Sequence, residues 1–321
     1  MLAATATAFS PDDPLAGLAI DERPEPEAPD GWARVSVKAA SLNHHDLWSL
    51  RGVGLREEQL PMILGTDAAG IDEDGAEVVV HGVVTSDGWT GDETFDPRRS
   101  LLSERHQGAL AEQVVVPRRN LVPKPGALSF EEAACLPTAW LTAYRMLFTR
   151  GAVKPGMTVL VQGAGGGVAT AVIALGRAAG VRVWATSRSQ EKGRRALELG
   201  ADAVFSSGER LPERVDVVIE TVGEATWSHS LKALKPGGTI VVCGATSGQA
   251  PSAELNRVFF LQLSVVGSTM GTTEELAQLV QLLAVSGVRP VIDRVLPLAD
   301  ARDGFAALEA GDVFGKVVFT P

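Results

Sequence analysis

Apolar and polar positions fall into two textures along the chain. Over residues 1–125 the pattern is short and alternating. Segment 31–40, Gly-Trp-Ala-Arg-Val-Ser-Val-Lys-Ala-Ala, alternates as a half-buried strand does. Short apolar runs follow at 77–81, 83–85 and 113–116, broken by Gly, Asp and Pro clusters. No long helical period interrupts them, so this stretch reads as a mostly β domain. Segment 86–99, with Gly88, Gly91, Asp92, Asp96 and Pro97, reads as a loose surface excursion.

From about residue 129 the texture changes. Residues 131–150 are helix-like, with Pro137 as a kink or break near the middle. Short β-branched runs at 158–161, 181–186, 216–219, 239–242 and 264–267 then alternate with helical stretches. Between the first two, Val168, Ala171, Val172, Leu175 and Ala179 share one helical face. Strand, helix and strand at this spacing predict an α/β fold with a doubly wound parallel sheet. A helix over 273–286 and a last strand over 316–320 are expected. No internal repeat is present, and only the Pro/Glu-rich stretch 23–29 is biased in composition.

Length and charge narrow the classes. A chain of 321 residues is long enough for about two domains and a sizeable core. With 29 Lys plus Arg against 39 Asp plus Glu, the formal charge of −10 argues against nucleic acid or an anionic membrane as a partner. Cys135 and Cys243 are isolated and cannot supply a disulfide framework or a four-thiolate zinc site. No apolar run reaches the roughly 18 residues of a membrane span. The first ten residues lack a basic signal-peptide start, so a reducing cytoplasm is the expected setting.

The sharpest local motif is Thr158-Val-Leu-Val-Gln-Gly163-Ala164-Gly165-Gly166-Gly167-Val168-Ala169. A buried strand runs into a glycine-rich turn and opens a helix. Glycines let the backbone approach a pyrophosphate, and the helix start offers free N–H donors. The best fit to G-x-G-x-x-G/A is Ala164-x-Gly166-x-x-Ala169, with the first glycine replaced. After the second strand no acid is present to bond a ribose 2′-hydroxyl. Ser187, Arg188 and Lys192 stand there instead and suit a 2′-phosphate, which makes NADPH the expected cofactor.

Several segments together resemble the medium-chain dehydrogenase/reductase superfamily nearly end to end. They are Ala40-Ser-Leu-Asn43-His44-His45-Asp46-Leu-Trp48, Leu60-Pro-Met-Ile-Leu-Gly65-Thr66-Asp67-Ala-Ala-Gly70, Gly108-Ala-Leu-Ala-Glu-Gln-Val and Leu136-Pro137-Thr138-Ala-Trp-Leu-Thr142-Ala. The glycine loop, Glu220-Thr221-Val222-Gly223 and Gly315-Lys316-Val-Val complete the set. The resemblance implies a GroES-like catalytic domain over 1–125, a Rossmann dinucleotide-binding domain over 126–268, and a return to the first over 269–321. It also implies a nicotinamide held in the cleft between the two domains. Thr138, Thr142, Thr221, Val222, Gly244, Ala245, Thr246, Ser268, Thr269, Met270 and Lys316 then approach the cofactor.

Zinc members of the superfamily place metal ligands where this chain has Asn43, Thr66 and, approximately, Ala139. The cysteine-rich structural lobe is also missing, since 86–105 holds no cysteine. The chain therefore resembles the zinc-free quinone oxidoreductase branch, similar to zeta-crystallin. No metal is expected. His44 and His45, read as neighbours in extended chain, point opposite ways, so one of them at most enters the site. His81, His106 and His229 have no readable chemical context.

Without a Lewis acid the acceptor must carry its own electrophilicity, as a quinone or an α,β-unsaturated carbonyl does. Asn43, with Thr66 as second donor, is expected to meet the oxyanion that develops. His44 and Trp48 are expected at the substrate pocket, and solvent supplies the proton. Tyr144 is expected to pack and Cys243 to act as a small hydrophobe. The strand at 261–267 is expected at a sheet edge, pairing with its twin in a homodimer. An alcohol dehydrogenase with unusual zinc ligands, or a dinucleotide-binding protein without catalysis, are the competing readings.

Overall fold

A computed structural model describes all 321 residues, which divide into two compact units. The first holds Met1–Leu141 and Met270–Pro321, the second Thr142–Thr269. The division falls later than the expected boundary at 125/126. The short helix Phe130–Ala134 packs on the strands Trp32–Ser41 and Ala68–Asp72, which keeps the following turns with the first unit.

The first unit is built on a seven-stranded, largely antiparallel sheet. Its order runs Leu121–Pro123, Glu77–Val80, Ala68–Asp72, Trp32–Ser41, Lys316–Thr320 and Ile292–Pro297, with Gln113–Pro117 also paired to Trp32–Ser41. The expected alternation at 31–40 is this central strand, with Ala33, Val35, Val37 and Ala39 buried. Leu47, Leu50, Leu64, Leu110, Phe305 and Phe319 belong to the core beneath it. The chain's last strand pairs antiparallel with the central one, Val318 opposite Ser41 and Phe319 opposite Ala40.

Two features escaped the periodicity argument. Leu2–Ala6 and Leu18–Glu22 form an antiparallel pair with Ala3, Ala4 and Ala6 fully buried, too small and uniform to alternate visibly. Residues 86–99 are organised around a buried Asp96 rather than loose. Its carboxylate accepts from Ser86 N (2.6 Å), Ser86 Oγ (2.8 Å) and Arg98 N (2.8 Å). Such bonds hold a loop without any apolar pattern.

The second unit carries a six-stranded parallel sheet. Its order is Ala203–Ser206, Arg182–Ser187, Thr158–Val161, Val215–Glu220, Leu234–Val242 and Ser264–Gly267. This is the 3-2-1-4-5-6 arrangement of a doubly wound dinucleotide fold. The central strand Thr158–Val161 is buried throughout, as a parallel strand covered on both faces must be. Helix Gly167–Ala178 follows it, with Ala171, Val172 and Leu175 fully buried as expected. No helix in the chain is long and apolar enough to cross a membrane.

Candidate functional site

The glycine loop sits at the carboxyl end of Thr158–Val161. Gly163 has φ +86, a left-handed value that costs other residues, and its N–H donates to Thr186 Oγ1 at 3.1 Å. Gly166 caps the helix with no side-chain partner, and nothing lies within 4 Å of where its Cβ would stand. Helix Gly167–Ala178 thus begins with free donors under open space, the arrangement that accepts a pyrophosphate. The residues present fit a dinucleotide.

Buried polar side chains hold that edge in shape. Thr186 Oγ1 donates to Gln162 Oε1 at 2.8 Å, and Gln162 Nε2 donates to Ser230 Oγ at 2.9 Å. Glu220, fully buried, takes the N–H groups of Val222 (2.8 Å) and Gly223 (3.0 Å) on Oε1. Its Oε2 takes Ser230 Oγ at 2.6 Å, while Thr226 Oγ1 lies 2.9 Å from both oxygens. Sequence reasoning named Thr221 and Val222 but missed Glu220, the carboxylate that folds their turn. A buried acid directly before Thr-Val-Gly was its signal. Gly244 packs on the Thr221 carbonyl, while Ala245 and Thr246 are exposed. Ser268 continues from the edge strand through its N–H to Val242 O (2.8 Å), and Thr269 is exposed beside it. Thr142 and Val168 belong to this unit, and Met270 to the first.

Beyond Arg182–Ser187 the expected phosphate-binding group is only partly poised. The Ser187 hydroxyl donates to Ser189 O at 2.8 Å and accepts from Ser189 N at 3.1 Å, so its hydrogen is used locally. Ser189 caps the next helix by accepting from Lys192 N. Arg188 is exposed beside them. Burial pushes the Cys243 thiol up to about 12, consistent with the inert role expected of it. Tyr144 meets Phe148 edge-on at 5.0 Å between ring centroids.

In the first unit, residues far apart in sequence meet in one buried polar network. Gly65, at φ +98, turns the chain where a Cβ would strike Leu110 N at 2.7 Å, and this places Thr66 and Asp67. Asp67 Oδ2 accepts from Ser41 Oγ (2.7 Å), Asn43 Nδ2 (2.8 Å) and Lys316 Nζ (3.3 Å). Lys316 also donates to Leu42 O (2.7 Å) and Asn43 Oδ1 (2.5 Å). Asn43 Nδ2 further lies 3.3 Å from Thr66 Oγ1 and 3.4 Å from Ser41 O, and Thr66 Oγ1 lies 2.9 Å from Thr138 Oγ1.

Three expectations change here. Asn43 was expected to donate to substrate, yet both amide hydrogens have partners within the network. Lys316 was expected against the cofactor, yet it is buried and its three hydrogens reach three protein oxygens. His44 and His45 are not in extended chain. They open the helix His44–Leu50, because Asp46 Oδ2 accepts from the Asn43 N–H (2.9 Å) and Asp46 Oδ1 from Gly65 N (2.8 Å). An acid three residues after Asn is the helix-start signal that was passed over.

The helix start carries unequal histidines. The His44 side chain is exposed, and desolvation by its neighbours with the Lys316 and Arg51 charges pushes its pKa down. His45 is half-buried, with Nε2 3.4 Å from Glu104 Oε1 and Nδ1 3.5 Å from Ser103 Oγ. Burial opposes its charge, but the bond to Glu104 and the Asp46, Glu104 and Asp67 charges raise its pKa. Glu104 is held low: burial works against it, while the His45 and Leu101 N–H bonds favour the carboxylate. Trp48 is half-buried with the Arg51 guanidinium 5.3 Å from its ring centroid. His81 is fully buried between Gly271 O (2.9 Å) and Thr273 Oγ1 (3.1 Å), a context invisible in sequence.

The donor set at Asn43, Thr66 and Ala139 does not suit zinc. It offers an amide, a hydroxyl and a methyl, with a lysine ammonium already in contact with Asn43 and Asp67. Cys135 nearby donates to Glu131 O, and burial pushes its thiol up to about 12.

Comparison with known proteins agrees with this architecture. Residues 29–126 match the family described as alcohol dehydrogenase GroES-like domain, and residues 167–285 the family described as zinc-binding dehydrogenase. The chain is 30% identical to an acryloyl-coenzyme A reductase of Metallosphaera sedula over 95% of this chain and 96% of that one. A solved NAD-dependent alcohol dehydrogenase is 35% identical, with a TM-score of 0.92 and full coverage of both chains. A 2-octenoyl-CoA carboxylase reductase solved with NADP and 2-octenoyl-CoA is 25% identical, with a TM-score of 0.92 over 99% of this chain and 87% of that one. The chain is an oxidoreductase that belongs to the medium-chain dehydrogenase/reductase superfamily.

Proposed function

We propose that this oxidoreductase reduces activated carbonyl compounds with NADPH and without a catalytic metal. Its acceptors are α,β-unsaturated ketones or thioesters, and quinones. The observation that carries this reading is the Lys316 ammonium bound to Asn43 Oδ1 and Asp67 Oδ2, where the family's metal-binding members have their ligands. A fixed cation there disfavours a second one nearby, which supports an acceptor that supplies its own electrophilicity. The names of two relatives, an acryloyl-coenzyme A reductase and a 2-octenoyl-CoA carboxylase reductase, lie in the same substrate class.

The glycine loop and the start of Gly167–Ala178 would hold the pyrophosphate, with Arg188 and Lys192 on the 2′-phosphate. Bound NADPH supplies a hydride. In an enone the hydride ends on the β-carbon, the displaced electron pair moves to the carbonyl oxygen, and solvent protonates the α-carbon. The chain's own task is to orient the acceptor and to stabilise that oxygen.

Loss of nicotinamide absorbance with crotonyl-CoA, a simple enone and a benzoquinone, on chelator-treated protein, tests the reading. Turnover that survives chelation is the expected result; turnover that chelation abolishes would overturn metal independence. A metal-dependent, NAD-linked alcohol dehydrogenase is the second reading, favoured by the name of the relative at 35% identity. Alcohol oxidation restored by added zinc would select it. NADPH binding with no turnover on any acceptor would point to a protein without catalysis.

A further inference from the structure

The polar network has a direction, and the direction ends at Thr138. Lys316 can only donate, which makes the Asn43 atom facing it the carbonyl oxygen. The Asn43 amide nitrogen consequently faces Asp67 and Thr66, and donates to both. Thr66 Oγ1 lies 3.3 Å from Asn43 Nδ2 and 2.9 Å from Thr138 Oγ1, a contact in which either hydroxyl can donate. With Thr66 closed off from solvent and acting as the donor, Thr138 accepts and its own hydrogen points away from the network.

Where it points is set by burial. Residues Leu136–Trp140 wind as one π-helical turn, in which Leu136, Pro137, Ala139 and Trp140 are buried and Thr138 alone keeps solvent contact. Single π-turns of this kind recur at functional sites. Thr66 and Lys316 are closed off, and Asn43 nearly so. The network begins at a buried ammonium and reaches solvent at one hydroxyl.

We infer that Thr138 Oγ1 is the donor that meets the carbonyl oxygen of the acceptor as charge develops on it. Lys316, Asn43 and Thr66 are positioning residues that fix the direction of its hydrogen. Each bond in such a chain polarises the next, so the terminal hydroxyl donates more strongly than an isolated threonine. This rests on the activated-carbonyl reading for its substrate, but the direction of the hydroxyl can be tested without turnover.

Para-nitrophenolate in the presence of NADP+ is the probe, since its oxyanion accepts what an enolate oxygen would accept. Wild-type protein is expected to bind it, and Thr138→Val to weaken binding about tenfold or more. Thr138→Ser is expected to restore it, and NADPH affinity to stay within about twofold in both variants. In turnover, Thr138→Val is expected to lower kcat about 100-fold to 1,000-fold on a simple enone, and less on a quinone, whose reduced oxygen is less basic. Equal phenolate binding by wild type and Thr138→Val would overturn the proposal. So would a loss confined to NADPH affinity, which would make Thr138 a cofactor contact. Absent turnover with intact, hydroxyl-dependent phenolate binding would sink the substrate reading and leave the donor standing.

Discussion

Lys316 donates to Asn43 Oδ1 across 2.5 Å, although 273 positions separate the two residues. Antiparallel pairing of the last strand with the end of Trp32–Ser41 brings them together, and Leu42 N bonding Val317 O at 3.0 Å fixes the register. The ammonium serves the fold and the site at once, because the same pairing closes the sheet and sets the Asn43 amide.

Removing that ammonium should therefore be costly in a specific way. Lys316→Met leaves the fully buried Asp67 carboxylate without its counter-charge, and loss of one member of a buried pair costs about 3–5 kcal/mol. Adding Asp67→Asn should recover most of that, since the second substitution removes the stranded charge. Urea denaturation of the two variants checks the order: the double variant is expected to be the more stable one.

The pair formed by His45 and Glu104 should make stability depend on pH from both sides. The pKa of His45 is raised above 6.5, so its contribution is complete below that value and is lost as pH rises through the folded pKa. That of Glu104 is lowered below 4.5, so its contribution is present above that value and is lost as pH falls through the folded pKa. The pair stabilises most between the two. Melting temperatures of Glu104→Gln against wild type should differ most in that window and converge at alkaline pH.

His81 titrates with the opposite sign. Burial holds it neutral, between an acceptor at Gly271 O and the Thr273 hydroxyl, with the Glu93 and Glu275 charges only partly offsetting. The unfolded chain takes up a proton near 6.5 that the folded chain refuses, so stability should fall as pH drops below that value. His81→Phe should lose about 1–3 kcal/mol by stranding Gly271 O, and should also flatten this acid limb. Denaturation at neutral and mildly acidic pH separates the two effects; an unchanged acid limb would rule out His81 as its source.

Cofactor choice is expected to rest on Arg188, because the Ser187 hydrogen is already used by Ser189 O. Arg188→Ala should weaken NADPH binding about tenfold and leave NADH nearly unchanged, the loss of one charge-assisted phosphate contact. Fluorescence titration with both cofactors checks it. Equal loss for both would mean that Arg188 does not read the 2′-phosphate.

The sequence was most legible where chemistry is local. The parallel strands at 158–161 and 264–267, the helix over 273–286 and the glycine turn follow from spacing alone, because each depends on neighbours within a few residues. The network around Asp67 could not be read that way. Ser41 with Asn43, Thr66, Thr138 and Lys316 belong to four separate segments, and nothing in any one of them shows that Lys316 turns inward. Reading His44 and His45 as extended failed for a different reason: the flanking alternation hid a one-turn signal, Asn43 with Asp46. Residues 86–99 look loose for want of apolar side chains, yet one buried carboxylate, Asp96, organises them.

The edge strand Ser264–Gly267 carries the last expectation, a homodimer. It pairs with Leu234–Val242 on one side only, so one row of its backbone donors and acceptors is open. Val265 on it is 49% exposed, and Phe259 and Phe260 just before it are 68% and 78% exposed. An open ladder beside exposed aromatics is an aggregation hazard unless a second copy covers it. Pairing of two such strands about a twofold axis would satisfy the open bonds and bury both phenylalanines. Phe260→Asp with Val265→Lys places charges on that surface without touching the glycine loop or the Asp67 network. Light scattering should then report a dimer for wild type and a monomer for the variant, with NADPH affinity retained. A wild-type monomer at micromolar concentration would sink the assignment, and a dimeric double variant would move the interface elsewhere.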